Sequence, residues 1–315
     1  MTDQVFSSTA YDDVFRTLLN DCSKLIIPVI NEAFGENYTG NEIIQFFPNE
    51  HFLNQQEGGE EKRITDTSFA VTGTTTKRYH FECQSTADYS ILIRIFEYDA
   101  QIALDQDSMI AGNRIIVSFP HTAVLFLRST TATPDEMEIV IRTPGGEVIY
   151  NVPVLKVRTY TIDEIFTKNL LFLIPFYIFT YESQFQEIER NADMLREVVK
   201  EYEDIAFRLE KRAAEGSIDE YTKKTIMDMS ERVLMNLAKS FENIRKGVGS
   251  VMGGKILDYE AKRIRNEGRH EGIAGAVTLL RSMGVDDRVI MEKIQVQFDL
   301  KPEEAERYVL ASAME

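Results

Sequence analysis

The apolar positions of this 315-residue chain follow a helical period first, an alternating period next, and a helical period again to the end. Phe15, Leu18, Leu19, Cys22, Leu25, Ile26 and Val29 fall on one stripe at helical spacing. They predict a helix over residues 11–34 that ends at Gly35, with a kink or break at Pro28. Two alternating runs follow, Ile64 to Val71 and Tyr79 to Gln84, joined by the turn-like stretch TGTTTK. A hairpin is the economical reading. Residues 88–106 return to helical spacing, with Ile91, Leu92, Ile95, Ile102 and Ala103 on the inward side.

Further strands are expected in TAVLFLRS, MEIVIRT and VIYNVPVLKVRTY, with Pro144, Gly145 and Gly146 marking a tight reversal. Thr161 and Glu164 form a capping-box pattern that starts another helix. The apolar run 170–179 holds Pro175 and is half the length needed to span a bilayer, so it reads as a buried element. From about residue 183 the chain is amphipathic and helical, with a second capping box at Ser217 and Glu220 and a long helix to about Lys246. The expected architecture is α/β: a mixed sheet flanked by helices over residues 1–182, then an all-helical module over 183–315 suited to oligomerisation or to partner or DNA binding.

Charge narrows the partners. The formal net charge is −16, and residues 1–180 carry 13 Lys or Arg against 24 Asp or Glu. Non-specific binding of DNA by the whole surface is therefore not expected, while a local basic groove stays open. Lys62, Arg63, Lys77 and Arg78 flank the hairpin and form the best local basic patch. Two cysteines, Cys22 and Cys83, cannot build a disulfide framework or a zinc cage. No basic stretch followed by an apolar run opens the chain, so a cytoplasmic setting without membrane contact is expected.

The hairpin carries the candidate chemistry. Alternation puts His80, Glu82 and Gln84 on one face of the second strand, and Asp66, Ser68 and Ala70 on one face of the first. A turn centred near residues 74–75 sets Asp66 opposite Glu82 or Gln84, and either register keeps both carboxylates on the same face. Carboxylates about 5 Å apart on neighbouring strands repel, and a divalent cation turns that repulsion into attraction. Such a cation activates water and offsets charge on a phosphodiester. Gln84 is placed to orient the attacking water but carries no positive charge. His80 shares this face, shows no ligand spacing with His51, His121 or His270, and is expected to be a spectator.

Asp66 followed by Glu82-Cys83-Gln84 resembles the signature of PD-(D/E)XK nucleases in its D…ExQ form, in the branch of recombination-promoting, transposase-like nucleases. The opening YDDVFRTLL is similar to that branch's D-x-x-F-K/R motif through Asp12, Phe15 and Arg16. ILIRIFEYDAQIAL and the segment from Asn151 to Glu182 resemble it as well, although Thr65 stands where the Pro of the motif's name is expected. The resemblance implies a restriction-endonuclease-like core and Mg²⁺-dependent DNA endonuclease activity, with Mn²⁺ as a substitute, tied to recombination or mobile DNA. Asp66 and Glu82 would then ligate the metal, Gln84 would replace the usual Lys, and Asp12 would be an accessory acid.

Arg94 and Tyr98, with Gln101, follow at helical spacing and could face a bound strand; the plainer alternative is a salt-linked helix face with Glu97 and Asp99. In GSVMGGKI, Gly249, Gly254 and Lys255 have phosphate-loop spacing, but Ile256 replaces the Ser or Thr such a loop needs. A flexible joint is the expectation there. The rival to a nuclease is a catalytically inactive protein of the same fold that acts as a scaffold, with its C-terminal helices assembling oligomers.

Overall fold

Described by a computed structural model over residues 10–47, 50–54, 60–64, 67–86, 89–107, 109–253 and most of 273–309, the chain builds a mixed sheet with helices on both faces and further helices after it. Helices α1 (Ala10–Asp21) and α2 (Ile26–Phe34) lead into β1 (Ile43–Phe46), β2 (Glu50–Asn54), β3 (Glu60–Ile64), β4 (Thr67–Thr72) and β5 (Thr76–Gln84). After α3 (Ile91–Asp107) come β6 (Met109–Ala111), β7 (Arg114–Ile116), β8 (His121–Phe126), β9 (Glu136–Thr143) and β10 (Gly146–Lys156). The six-stranded sheet runs β1-β4-β5-β8-β10-β9, while β2 with β3, and β6 with β7, form separate hairpins.

The centre of the sheet is a crossover unit. β4 and β5 pair antiparallel through Thr67↔Phe81, and β5 then pairs parallel with β8 through His80↔Thr122 and Glu82↔Val124. A parallel neighbour needs a long connection, and α3 supplies it. Alternation sorts the two faces. Tyr79, Phe81 and Cys83 enter a large core with α1, α2 and the apolar segment 171–179, whereas Val124 and Phe126 meet Ile91 and Ile95 of α3 in a smaller one.

The first helical stripe breaks at Cys22, where a 3₁₀ turn over Ser23–Leu25 separates α1 from α2. Pro28 does not break it, because it stands in the first turn of α2, where its missing N–H has no intrahelical acceptor to lose. Gly35 ends α2 in the left-handed conformation at φ 63°, as the sequence predicts. The capping box of Thr161 and Glu164 starts α4 (Ile162–Thr167). The run Leu171–Gln184 winds as successive 3₁₀ turns, buried from Leu171 to Phe179.

The helices that follow are α5 (Phe185–Arg190), α6 (Ala192–Ala214), α7 (Glu220–Leu237) and α8 (Glu242–Met252). Asp219, not Ser217, caps α7: its carboxylate accepts from the Thr222 amide at 2.6 Å. Gly249 lies inside α8 rather than in a phosphate loop, and a Cβ on Gly247 would stand 3.0 Å from Val199 of α6. Gly254 and Lys255 lie outside the described residues.

Residue 183 marks a change of secondary structure but not a break in packing. Tyr202, Ile205 and Leu209 of α6, Ile226 and Val233 of α7, and Val248 and Met252 of α8 share one core with α1 and the sheet. At its surface Arg232 of α7 pairs with Asp13 of α1 at 3.0 Å. A separate cluster of Ile273, Val277, Ile290, Ile294, Leu300, Ala305 and Val309 forms the last part of the chain. No helix among the described residues is long and apolar enough to cross a membrane.

Candidate functional site

The face of β5 that alternation assigns to His80 and Glu82 is buried under α3, and it is polar where a core should be apolar. His80, Glu82, Asp99 and Thr122 are all at most 1% exposed. Buried charge is tolerated only when paired and hydrogen-bonded, and here the pairing is a chain. His80 stands between the two acids, with Nδ1 2.7 Å from Asp99 Oδ1 and Nε2 3.1 Å from Glu82 Oε1. Asp99 also accepts from the Thr122 hydroxyl at 2.8 Å and the Tyr150 hydroxyl at 2.7 Å. Tyr150 is shared with the Pro120 carbonyl at 2.9 Å.

The topology explains who meets whom. The parallel register sets Thr122 beside His80, and α3 crosses the same face, so Asp99 drops onto both. Burial alone would lower the His80 pKa. Burial is the largest single influence, but the Asp99 charge and the hydrogen bonds to Asp99 and Glu82 together outweigh it, and the imidazole is pushed up to about 10. His80 is therefore a cation at neutral pH, with an N–H for each carboxylate. Burial, then the Asp99 charge, raises the Tyr150 hydroxyl, which stays protonated and donates.

The other oxygen of Glu82 faces the rim. Arg94 in the first turn of α3 donates to Oε2 at 3.1 Å, and its side chain is 32% exposed. The Gln84 amide approaches the same oxygen at 3.4 Å from the half-buried end of β5. Among the described residues, His80 and Arg94 thus pair with both carboxylates. Next to it the Ser68 hydroxyl, opposite His80 on β4, and Arg94 Nε are buried without a hydrogen-bond partner. Such orphaned groups are uncommon in native interiors and call for an explanation.

Of the residues expected from sequence, the structure brings together Glu82, Gln84, Arg94 and Tyr98. Tyr98 is buried, with its ring 6.1 Å from that of His80, so it lines the cluster from inside rather than facing solvent. Arg94 bonds Glu82 across to the sheet instead of joining an acidic helix face. Asp66 lies outside the described residues, but the register Thr67↔Phe81 is the one that a pairing of Asp66 with Glu82 requires. Lys62 and Arg63 are on β3, opposite Phe52 and His51, and their side chains are outside the described part.

Lys77 is on the opposite face from Glu82, near the far end of β5, where it pairs with Glu36 at 2.5 Å. Arg78 shares the Glu82 face and lies over the Phe47 ring at 5.1 Å. Asp12 is in the first turn of α1, a helix that packs on the other face of the sheet. None of the hydrogen bonds that define the cluster comes from it.

Sequence reasoning missed His80 as a participant, and with it Asp99, Thr122 and Tyr150. A signal was present: Asp99 lies four residues after Ile95 and three before Ile102, on the apolar stripe of its own helix, where a carboxylate needs a partner.

Whether a divalent cation fits can be tested on the donor set. Glu82 offers a carboxylate oxygen on the more open side, and Gln84 brings an amide beside it. The orphaned Ser68 hydroxyl shows that the surroundings have hydrogen-bonding capacity to spare. No group of three or more His, Cys, Asp or Glu able to hold a metal occurs among the described residues. A magnesium site can be built on one or two carboxylates with water; of the two carboxylates expected to form one, Glu82 is among the described residues and Asp66 is not. Comparison with known proteins finds no family model, no curated protein and no solved structure that matches this chain.

Proposed function

We propose that this protein is a Mg²⁺-dependent DNA endonuclease that hydrolyses phosphodiester bonds, in the manner of the recombination-promoting nucleases its hairpin resembles. The observation that carries the proposal is Glu82: a carboxylate buried in the sheet, fixed through one oxygen and turned to the rim with the other, where an amide and a guanidinium meet it. Glu82 and Asp66 would hold the metal, which when bound supplies a Lewis acid that activates water and offsets phosphate charge.

The work of the chain's own residues follows from the geometry. His80 donates Nε2–H to Glu82 Oε1 and Nδ1–H to Asp99, which fixes the rotation of the carboxylate and hence the direction of Oε2. Thr122 and Tyr150 fix Asp99 in turn. Gln84 uses its amide N–H on Glu82, leaving its carbonyl to accept a hydrogen bond from the attacking water. Arg94, at the rim beside Glu82, is a cation within reach of a phosphate oxygen there. The same proposal places the protein in the cytoplasm, with DNA as its partner and the C-terminal helices as the surface for self-association.

A second reading, a non-catalytic scaffold of the same fold, draws on a specific observation: His80 and Arg94 already pair with both carboxylates, as a structural ion-pair network does. Cleavage of supercoiled plasmid in Mg²⁺ or Mn²⁺ separates the two. Wild type should nick, and Asp66→Asn and Glu82→Gln should each lose at least about a hundredfold in rate, the upper end of what loss of a partner behind a metal ligand costs. Equal nicking by all three would overturn the nuclease reading, and absence of cleavage in wild type would favour the scaffold.

A further inference from the structure

We infer that the β6–β7 hairpin is a docking arm for a second copy of this chain, two hairpins meeting across a two-fold axis to make one four-stranded ribbon. The inference is independent of the metal site, and it places self-association on a different surface from the C-terminal helices.

The hairpin has the composition of a core element and lies outside the core. Met109 stands opposite Ile116, and Ile110 opposite Ile115, so alternation makes both of its faces apolar. All four side chains are exposed. Among the described residues β6 and β7 pair only with each other, so each keeps an open edge. A two-stranded ribbon on its own is marginal in water, and one with strands of three residues and no covered face is a weak case of it.

The apolar surface continues past the ribbon. Val117 and Phe119 lead from it into β8, and the Phe119 ring lies 5.8 Å from Tyr150 of β10 and 6.2 Å from Phe96 of α3. Val148 is two residues before Tyr150 and shares its face of β10. With Phe96 and Val148 included, the eight apolar residues of ribbon and surroundings are between 36% and 79% exposed. At roughly 150–200 Å² for a fully exposed residue of this size, they offer roughly 600–850 Å². That exceeds the ~300–600 Å² of the largest patch on a typical monomer. It is close to the ~800 Å² that each partner gives to a standard interface.

Charge identifies the occupant. The chain carries 51 Asp and Glu against 35 Lys and Arg, so two copies repel wherever their acids face each other. Between Asp107 and Asp135 the sequence has no Asp or Glu, and the ribbon itself holds one charge, Arg114. A surface free of acids is where two acidic copies can meet without that repulsion. DNA or an anionic lipid surface would need a basic face, which one arginine does not supply. A two-fold axis suits identical ribbons, because each brings the open edge and the apolar face that the other needs covered.

The test is sedimentation velocity of the full chain, without metal. Wild type should be a dimer at about 10 µM, because interfaces of this size have micromolar or tighter Kd. Ile110→Lys combined with Ile115→Lys charges one face of each ribbon and should give a monomer at that concentration, with unchanged far-UV circular dichroism. Arg114→Glu keeps every apolar side chain and sets acids against each other across the axis. It should weaken the dimer about tenfold at low salt and less at high salt. Leu279→Lys combined with Met283→Lys charges exposed apolar positions near the end of the chain, and should stay dimeric. Monomeric wild type would overturn the inference, including a monomer whose ribbon binds anionic vesicles instead. A dimer that survives both ribbon variants would overturn it as well. Loss of the dimer in Leu279→Lys with Met283→Lys alone would move self-association to the C-terminal helices and overturn it too.

Discussion

Truncation of Asp99 to alanine probes the buried cluster most directly. Its carboxylate receives His80 at 2.7 Å, Thr122 at 2.8 Å and Tyr150 at 2.7 Å, and none of the three other elements involved is adjacent to α3 in a hairpin. Removing one side of a buried ion pair costs about 3–5 kcal/mol, and a stranded hydroxyl adds about 1–3 kcal/mol. Tyr150 keeps the Pro120 carbonyl at 2.9 Å, so only the Thr122 hydroxyl is stranded. Alanine suits the interior of α3 better than aspartate and returns roughly 0.5 kcal/mol. The net loss should be about 3.5–7.5 kcal/mol, a large share of the stability of a typical domain. Tyr150→Phe, which leaves Asp99 two donors, should cost about 1 kcal/mol. Urea unfolding at neutral pH in chelator measures both. Far-UV circular dichroism is the suitable signal, since the chain has no tryptophan. If Asp99→Ala costs no more than Tyr150→Phe, the cluster is not the coupled unit described above.

Two further outcomes are expected. The His80 pKa of about 10 in the folded state exceeds the ordinary histidine value of 6.5, so its contribution is full below about pH 6.5 and is lost as pH rises toward 10. Metal-free protein should lose about 1.4 kcal/mol per pH unit between about pH 7 and 9, and Asp99→Asn should flatten that slope; a flat wild-type profile contradicts the assignment. A fragment ending at residue 253 should melt as cooperatively as the full chain, whereas one ending at residue 190 should not, because it lacks Tyr202, Leu209, Ile226 and Val233 of the shared core. Cooperative melting of the shorter fragment would show that the sheet folds without α6 to α8.

Legibility in the sequence followed locality. Period-two alternation located the β4–β5 hairpin, and parity alone put His80, Glu82 and Gln84 together, because side-chain direction along a strand depends only on the strand itself. Helix ends were read less well where two signals competed. Pro28 looked like a breaker until its place in the first turn of α2 was known, and Ser217 offered a capping pattern two residues before Asp219 took the role. The His80–Asp99 pair was hidden for a different reason. Its other members, Thr122 and Tyr150, come from strands brought alongside by a parallel crossover, and nothing local specifies that neighbourhood. The composition change near residue 183 likewise marks where strands stop, but it carries no information about which core the later helices enter.

The contact between α1 and α7 also bears on how the chain reaches this structure during synthesis. Val14, Phe15, Leu18 and Leu19 of α1 share their core with Ile226, Val233 and Leu234 of α7, made about 200 residues later. At about 5–20 residues per second, the apolar face of α1 waits on the order of 10–40 s for that cover. For this interval the part of the α1 face that α7 covers stays open in the nascent chain, while α2, the sheet and residues 171–179 can already pack on the rest. The cover of α1 is thus completed late, and a stop in translation before α7 leaves that part of its face open to chaperones and to aggregation.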